Sequence, residues 1–242
     1  MGETMSLVRS ALFSTPLIVI CTIVMGTLSL IASFFDASGN MLHRLARIWA
    51  KMLLAASFIR VRVVGLEKLD PRGAYVIVAN HGSFMDIPAL LSVLPQQFRF
   101  FAKKGLFRIP LLGTHLERAG HIPVDRSNAR ASLKSMMLAA RIISERSVSV
   151  LNFPEGGRSA AGLREFKEGP AYVAIKAGVP VVPVAIVGMR ELLPMGSGHL
   201  RSGRVVLRVG DPIPTKEMST NDRLELTQRL HREVSQLLAV TG

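Results

Sequence analysis

The segment Asn80-His81-Gly82-Ser83-Phe84-Met85-Asp86 places an imidazole five residues ahead of a carboxylate. One turn of backbone suffices to bring the two groups together. The carboxylate would then fix the ring's tautomer and leave the other ring nitrogen to take a proton, as a general base does. A chain with six histidines also produces this spacing by chance, so the pair needs a second signal. The segment Phe153-Pro154-Glu155-Gly156-Gly157-Arg158-Ser159 supplies one. Glycines let backbone N–H groups approach an anion, and an arginine fork fits phosphate oxygens. Taken alone, this segment also reads as an ordinary strand-to-loop turn with an exposed arginine.

Both segments follow apolar runs. Tyr75-Val76-Ile77-Val78-Ala79 precedes the histidine, and Val148-Ser149-Val150-Leu151 precedes the Gly-Gly turn. Each run reads as a buried strand, and Ile87 to Leu91 reads as the start of a helix. Ligands of open α/β sheets bind at the carboxyl ends of strands. Elsewhere, Arg60–Gly65 and Arg204–Val209 read as strands. Ser127 or Asn128 is placed to cap a helix from about Ala129 to Glu145, with Leu133, Met136, Met137, Ala140 and Ile143 on its buried face. Gly169-Pro170 opens a helix that ends at Ala177-Gly178. Val179–Val187 reads as a buried strand whose Pro180 and Pro183 point to an edge or an irregular start. Thr220 is placed to cap a last helix carrying Leu224, Leu230, Val234 and Leu237. Strands alternating with helices predict an α/β fold with a largely parallel central sheet flanked by helices.

Four blocks in order resemble the lysophosphatidic acid (1-acylglycerol-3-phosphate) acyltransferase family. They are Asn80–Asp86, Gly120-His121-Ile122-Pro123-Val124-Asp125-Arg126, Phe153–Ser159 and Val179–Val184. The stretch Phe101-Ala102-Lys103-Lys104-Gly105-Leu106-Phe107-Arg108-Ile109-Pro110 is also family-like, and the likeness covers roughly residues 60–215. It implies His81 and Asp86 as the catalytic pair, with Gly156, Gly157 and Arg158 binding the acceptor phosphate. Glu155 would orient Arg158 or a substrate hydroxyl, and Lys103 or Lys104 together with Arg126 would be secondary phosphate contacts. The implied reaction moves an acyl chain from acyl-CoA or acyl-ACP to the free hydroxyl of lysophosphatidic acid, forming phosphatidic acid. An acyltransferase for another lyso-lipid and a lipid-binding protein without catalysis are the alternatives. Two positions depart from the family: Gly157 stands where Thr is usual, and Pro123 where a large apolar residue is usual.

Composition bears on partners. The chain carries 30 basic and 17 acidic residues, a net charge of +13. Residues 1–42 contribute only Arg9, Glu3 and Asp36, so 29 basic against 15 acidic residues remain in the rest. Such a surface suits nucleic acid, an anionic membrane or a phosphate-bearing substrate. The aromatic and cationic stretch Phe98–Lys104 would suit single-stranded nucleic acid as well as lipid. The amino terminus decides for lipid, and no nucleic-acid partner is expected. Ala11–Phe35 is an uncharged run of 25 residues, longer than the roughly 20 needed to cross a bilayer. Arg44, Arg47 and Lys51 then share a helical stripe beside Leu45, Ile48, Trp49 and Met52, as in a helix lying at a lipid interface. The predicted organisation is a membrane-associated helical anchor over residues 1–59 and a catalytic domain over 60–242, on the cytoplasmic side of the inner membrane.

Cys21 is the single cysteine, and His115 and His121 lack partners at metal spacing, so neither a disulfide framework, a metal nor a cofactor is expected. The absence of a Gly-x-Ser-x-Gly elbow leaves a serine acyl-enzyme without a seat. Ser83 is better read as serving its turn, and direct transfer to the acceptor is the simpler route.

Overall fold

The computed structural model describes residues 2–36, 38–110, 112–125 and 127–240. Seven strands form one sheet among these residues. They are β1 (Ile59–Val64), β2 (Val76–Ala79), β3 (Phe98–Lys103), β4 (Ile122–Val124), β5 (Ser149–Asn152), β6 (Val181–Val187) and β7 (Gly203–Val209). Their order is β1-β7-β6-β2-β5-β3-β4. Every pairing is parallel except β6 with β7.

The central strands are apolar throughout because both of their faces are covered. On β2, Ile77 and Ala79 face a core shared with Ala50, Leu53 and Leu54 of α3 (Asn40–Ala56) and Ala89–Leu91 of α4 (Asp86–Val93). Val76 and Val78 face the opposite core. There they meet Ala139, Ala140 and Ile143 of α6 (Ala129–Arg146), Ala171, Val173 and Ala174 of α7 (Gly169–Ala177), and Leu226 and Leu230 of α9 (Arg223–Ala239). The two short helices are α5 (Leu112–Arg118) and α8 (Met189–Leu192), which follow β3 and β6.

The strand expectations meet one surprise. β6 is a central strand between β2 and β7, although it contains Pro183. The Pro183 carbonyl accepts from Gly210 N at 2.8 Å, so the missing proline N–H costs only the return bond of the last rung of the β6–β7 ladder. Two helix details also differ. On α6, Asn128 caps as expected by accepting from Ala131 N, but Leu133 and Met137 face solvent while Ala139 takes the core position. Ser219, not Thr220, caps the last helical segment, in a capping box with Asp222; Leu224 is exposed.

The amino terminus is a single helical run from Gly2 to Ala32, with mean hydropathy 2.2 over its most apolar window. It comprises α1 (Gly2–Arg9), a π turn over Ser10–Ser14 and α2 (Thr15–Ala32). Pro16 sits in the first turn of α2, and the π turn before it takes up the register change forced by the missing donor. The run is tied to the body at both ends. Arg9 donates to the Leu200 carbonyl at 3.0 Å, and Arg118 donates to the Ser33 carbonyl at 3.0 Å. Between these ties, Ser29 Oγ lies 2.7 Å from His115 Nδ1. The outward face is apolar, with Leu12, Ile20 and Ile23 exposed and Phe34 and Phe35 at the tip. α3 packs back along α2, where Trp49 Nε1 donates to Thr22 Oγ1 at 3.1 Å. Arg44 and Lys51 of α3 are exposed beside Ile48 and Met52, while Arg47 donates to the Pro95 carbonyl at 3.3 Å.

Candidate active site

β2 ends at Ala79, and the next side chain extends the sheet. The Asn80 amide accepts from Ile186 N at 2.7 Å and donates to the Ile186 carbonyl at 3.0 Å, mimicking one more residue of strand. The chain then turns sharply through Gly82 and Ser83 into α4. Asp86, the first residue of that helix, reaches back over the turn. Its Oδ2 accepts from Gly82 N and Ser83 N, each at 2.8 Å, and lies 2.8 Å from His81 Nδ1. With the carboxylate as acceptor, the hydrogen-bond network assigns the proton to Nδ1 and leaves the Nε2 lone pair available. Asp86 is buried, whereas the His81 ring keeps 15% of its surface exposed, enough for a substrate to reach one edge. Phe153 stacks on the imidazole with centroids 4.0 Å apart and an interplanar angle of 15°. Ser83 Oγ donates to the Leu193 carbonyl at 3.2 Å, so this hydroxyl serves the turn.

The Phe153–Ser159 loop, at the end of the neighbouring β5, interlocks with the His81 turn. Ser159 N donates to the His81 carbonyl at 2.9 Å. Glu155 is buried, with Oε1 accepting from His81 N at 2.7 Å and Oε2 from Arg164 N at 3.0 Å. Both of its oxygens hold backbone. Glu155 therefore clamps the two loops together from behind and forms no ion pair with Arg158. Gly156 shapes the turn that follows. Its N–H closes a turn on the Phe153 carbonyl at 3.1 Å, and its φ of +77° is a glycine conformation. A side chain there would meet Lys167 Nζ at 3.1 Å, so an ammonium lies against the turn. Gly157 is half-buried on the same loop.

Arg158 reaches across to the first loop, its guanidinium carbon 3.4 Å from the centre of the Phe84 ring. It makes no ion pair among the described residues. Lys103 is exposed at the carboxyl end of β3, the same end of the sheet. Arg126 lies outside the described residues. Among the described residues no group of three or more His, Cys, Asp or Glu forms a cluster that could hold a metal ion.

A half-buried histidine oriented by a buried carboxylate, and an arginine without an ion pair on the loop that interlocks with it, suit base-catalysed transfer to an anionic acceptor. The acyltransferase family, described as Acyltransferase, matches residues 60–187. The chain belongs to the acyltransferase family. A 1-acyl-sn-glycerol-3-phosphate acyltransferase from Brassica napus is 37% identical over 174 residues, covering 71% of this chain and 50% of that protein. One from Chlamydomonas reinhardtii is 37% identical over 175 residues, covering 71% and 52%. The alpha form from Bos taurus is 31% identical over 177 residues, covering 73% and 62%. The chain thus spans about half the length of the plant and algal relatives. The crystal structure of the 1-acyl-sn-glycerophosphate acyltransferase PlsC from Thermotoga maritima superposes with a TM-score of 0.78 at 26% identity, covering 97% of this chain and 98% of that one.

Three features of this family member were not read from the sequence. Arg190, after β6, lies against the turn: a side chain at Gly82 would meet its Nε at 3.1 Å, and this Nε is buried without a hydrogen-bond partner. The residue stands six positions after the end of the fourth block, and that proximity is the one signal that could have found it. Phe153 stacks on the base from the neighbouring strand. Beside Phe84, finally, opens an apolar cavity of about 390 Å³. It runs between Ile87, Pro88 and Leu91 of α4 and the amino-terminal helices, which contribute Ile23, Met25 and Trp49.

Proposed function

We propose that this protein transfers a fatty acyl chain from an acyl thioester, acyl-CoA or acyl-ACP, to the free sn-2 hydroxyl of 1-acylglycerol-3-phosphate, giving phosphatidic acid. His81 Nε2 takes the hydroxyl proton, and the oxygen attacks the thioester carbonyl. The tetrahedral intermediate collapses, breaking the carbon–sulfur bond, and the imidazolium returns its proton to the departing thiolate. Base catalysis of this kind supplies about 10²–10⁴-fold, and positioning supplies much of the rest. Arg158 holds the acceptor phosphate, with Gly157, Lys103 and Arg126 as further phosphate contacts, and the apolar cavity takes the acyl chain. Glu155 and Gly156 support this reading from behind, by keeping both loops in register.

The observation that carries the proposal is the interlock of the two loops: one clamp, Glu155, fixes the base on one loop and the phosphate-binding arginine on the other. The relatives' printed names supply the acceptor.

Residues 1–59 form the membrane anchor and 60–242 the catalytic domain, on the cytoplasmic side of the inner membrane. The ties of the amino-terminal helix to Leu200 and Arg118 support a run lying in one leaflet, because a helix held to the body at both ends is not free to stand across a bilayer. Its apolar outer face enters the lipid, and Arg44 and Lys51 meet anionic headgroups.

Purified protein in phosphatidylglycerol vesicles, given labelled palmitoyl-CoA or palmitoyl-ACP and a panel of lyso-lipids, tests the function. Label should appear in phosphatidic acid from lysophosphatidic acid. Transfer only to a lyso-lipid without a phosphate monoester, or to none, overturns the acceptor assignment.

A further inference from the structure

A second basic feature stands apart from the His81 and Arg158 loops. Arg60 of β1 and Arg204 of β7 are register partners in a parallel pair, so their side chains leave the same face of the sheet from strands about 5 Å apart. Both are exposed, and neither forms an ion pair among the described residues. Like charges directly opposite each other repel, a cost that an anion between them would reverse. The two arginines line one open pocket of about 500 Å³ together with Phe58, Ser202 and Gly203. Phe58 forms a wall of it from the left-handed stop of α3, where its φ is +56° and glycine is usual. The ring is half-exposed, and the Arg9 guanidinium carbon, 5.1 Å from its centre, adds a third positive charge near the rim.

The pocket belongs to the catalytic end of the sheet. β1 and β7 run opposite to β2 and β6, so their amino ends lie where β2 delivers His81. Contacts connect the two places. A side chain at Gly82 would meet Arg190 Nε at 3.1 Å, and one at Gly188, two residues before Arg190, would meet the Arg204 carbonyl at 3.0 Å. The register gives the separation. Ala79 is level with Val184, and Val184 with Val209. Arg204 lies five residues past that level and His81 two, a rise of about 10 Å at roughly 3.3 Å per residue. Two strand spacings separate β2 from β7 and three separate it from β1, at about 4.8 Å each. The backbone of the base and the backbones of the arginine pair are therefore about 14–17 Å apart.

We propose that this pocket binds a phosphate of the acyl donor, with Arg60 and Arg204 as paired cations. The separation decides between the two substrates. The acceptor's phosphate is only a few bonds from the attacking hydroxyl and stays beside the base. The donor's phosphate stands at the far end of the pantetheine arm, which CoA and ACP share. From sulfur to phosphorus that arm is as long as four to five extended residues, roughly 15 Å. With the thioester at His81, the arm crosses the loop after β6 and sets its phosphate over β7 and β1. The two substrates thus meet at the base with their anionic ends held apart, one on Arg158 and the other on this pair.

This inference rests on the acyl-transfer reading, and the test separates the two. Vesicle-bound protein is given lysophosphatidic acid with palmitoyl-CoA, palmitoyl-ACP or S-palmitoyl-pantetheine, which lacks the phosphate. The wild type should favour palmitoyl-CoA over the phosphate-free donor by about tenfold or more in kcat/KM. Arg60→Ala and Arg204→Ala should each raise the KM for palmitoyl-CoA about tenfold and leave kcat, the acceptor KM and the rate with S-palmitoyl-pantetheine unchanged. Each removes one of two repelling charges, so the urea midpoint should hold or rise. The same loss with palmitoyl-ACP identifies the shared pantetheine phosphate as the ligand; a loss with palmitoyl-CoA alone identifies the phosphates of its nucleotide. A loss with palmitoyl-ACP alone marks a protein-docking patch and overturns the phosphate pocket. Weaker vesicle sedimentation of the variants with donor KM unchanged assigns the pair to lipid headgroups and overturns it too. Wild-type protein that uses all three donors equally well overturns the pocket while acyl transfer stands. No turnover with any donor removes the pocket's role and the function together.

Discussion

The two ends of the sheet hold histidines in opposite circumstances. At the carboxyl end, His81 has a carboxylate on one nitrogen, a stacked phenylalanine on its face and an exposed edge. At the amino end, His43, His115 and His121 are packed inside the protein near Arg99, with no carboxylate bonded to any of them among the described residues. Burial pushes the pKa of all three below the ordinary imidazole value, and at His121 the neighbouring histidines and Arg99 add to it. The same side chain is set up to move a proton at one end and held neutral at the other. What separates them is not the imidazole but whether the turn beside it brings an acid within reach. The arginines divide the same way: Arg158 is half-buried over Phe84, and Arg99 is sealed in.

The sharpest way to break the contrast is to remove one histidine from each end. His81→Ala should lower kcat by about 10²–10⁴ with the unfolding midpoint nearly unchanged. His43→Ala should do the reverse with palmitoyl-CoA, shifting the denaturant midpoint far more than kcat. Wild-type-like kcat in His81→Ala would end the base assignment. Arg158 gives the next largest effect. Arg158→Ala should raise the acceptor KM about 10–100-fold, the worth of hydrogen bonds to a charged group, with little loss of kcat. An unchanged KM removes Arg158 from the phosphate site. Glu155→Ala leaves the His81 and Arg164 N–H groups without an acceptor. A loss of about 1–3 kcal/mol in a urea titration is expected for each such buried group. Because the clamp serves both loops, kcat and acceptor KM should worsen together.

The effect confined to the narrowest range of conditions is a pH dependence of stability set by the amino end. His43 has a folded pKa of about 4 against an unfolded value of about 6.5. Below pH 6.5 the unfolded chain binds a proton there that the folded one does not, so stability falls as pH drops from about 6.5 towards 4. The loss is on the order of 3 kcal/mol at full extent. His43→Phe should flatten that part of the profile, measured as urea midpoint against pH.

Much of this architecture is written locally in the chain. The β2 run and the His81–Asp86 spacing determine the turn almost by themselves, because the carboxylate bonds residues only three to five positions away. The alternating strands and helices and the Gly178 stop are equally local. The readings that changed depend on distant partners. Glu155 meets His81 across 74 residues, and nothing near Glu155 announces that both its oxygens face backbone. Pro183 looked like an edge residue because its neighbour Gly210 supplies the compensating bond. Leu133 and Met137 share the helical period of Met136 and Ala140, and only the docking of α6 on β4 and α7 decides which side of that stripe is buried.

The central claim is that the base and the phosphate grip act on one acceptor molecule. A substrate cycle tests it most directly: wild type and Arg158→Ala, each with lysophosphatidic acid and with monoacylglycerol, which lacks the phosphate. Wild type should prefer the phosphate-bearing acceptor by about 100-fold in kcat/KM, and Arg158→Ala should lose most of that preference while its rate with monoacylglycerol holds. A full preference retained in Arg158→Ala would contradict the account.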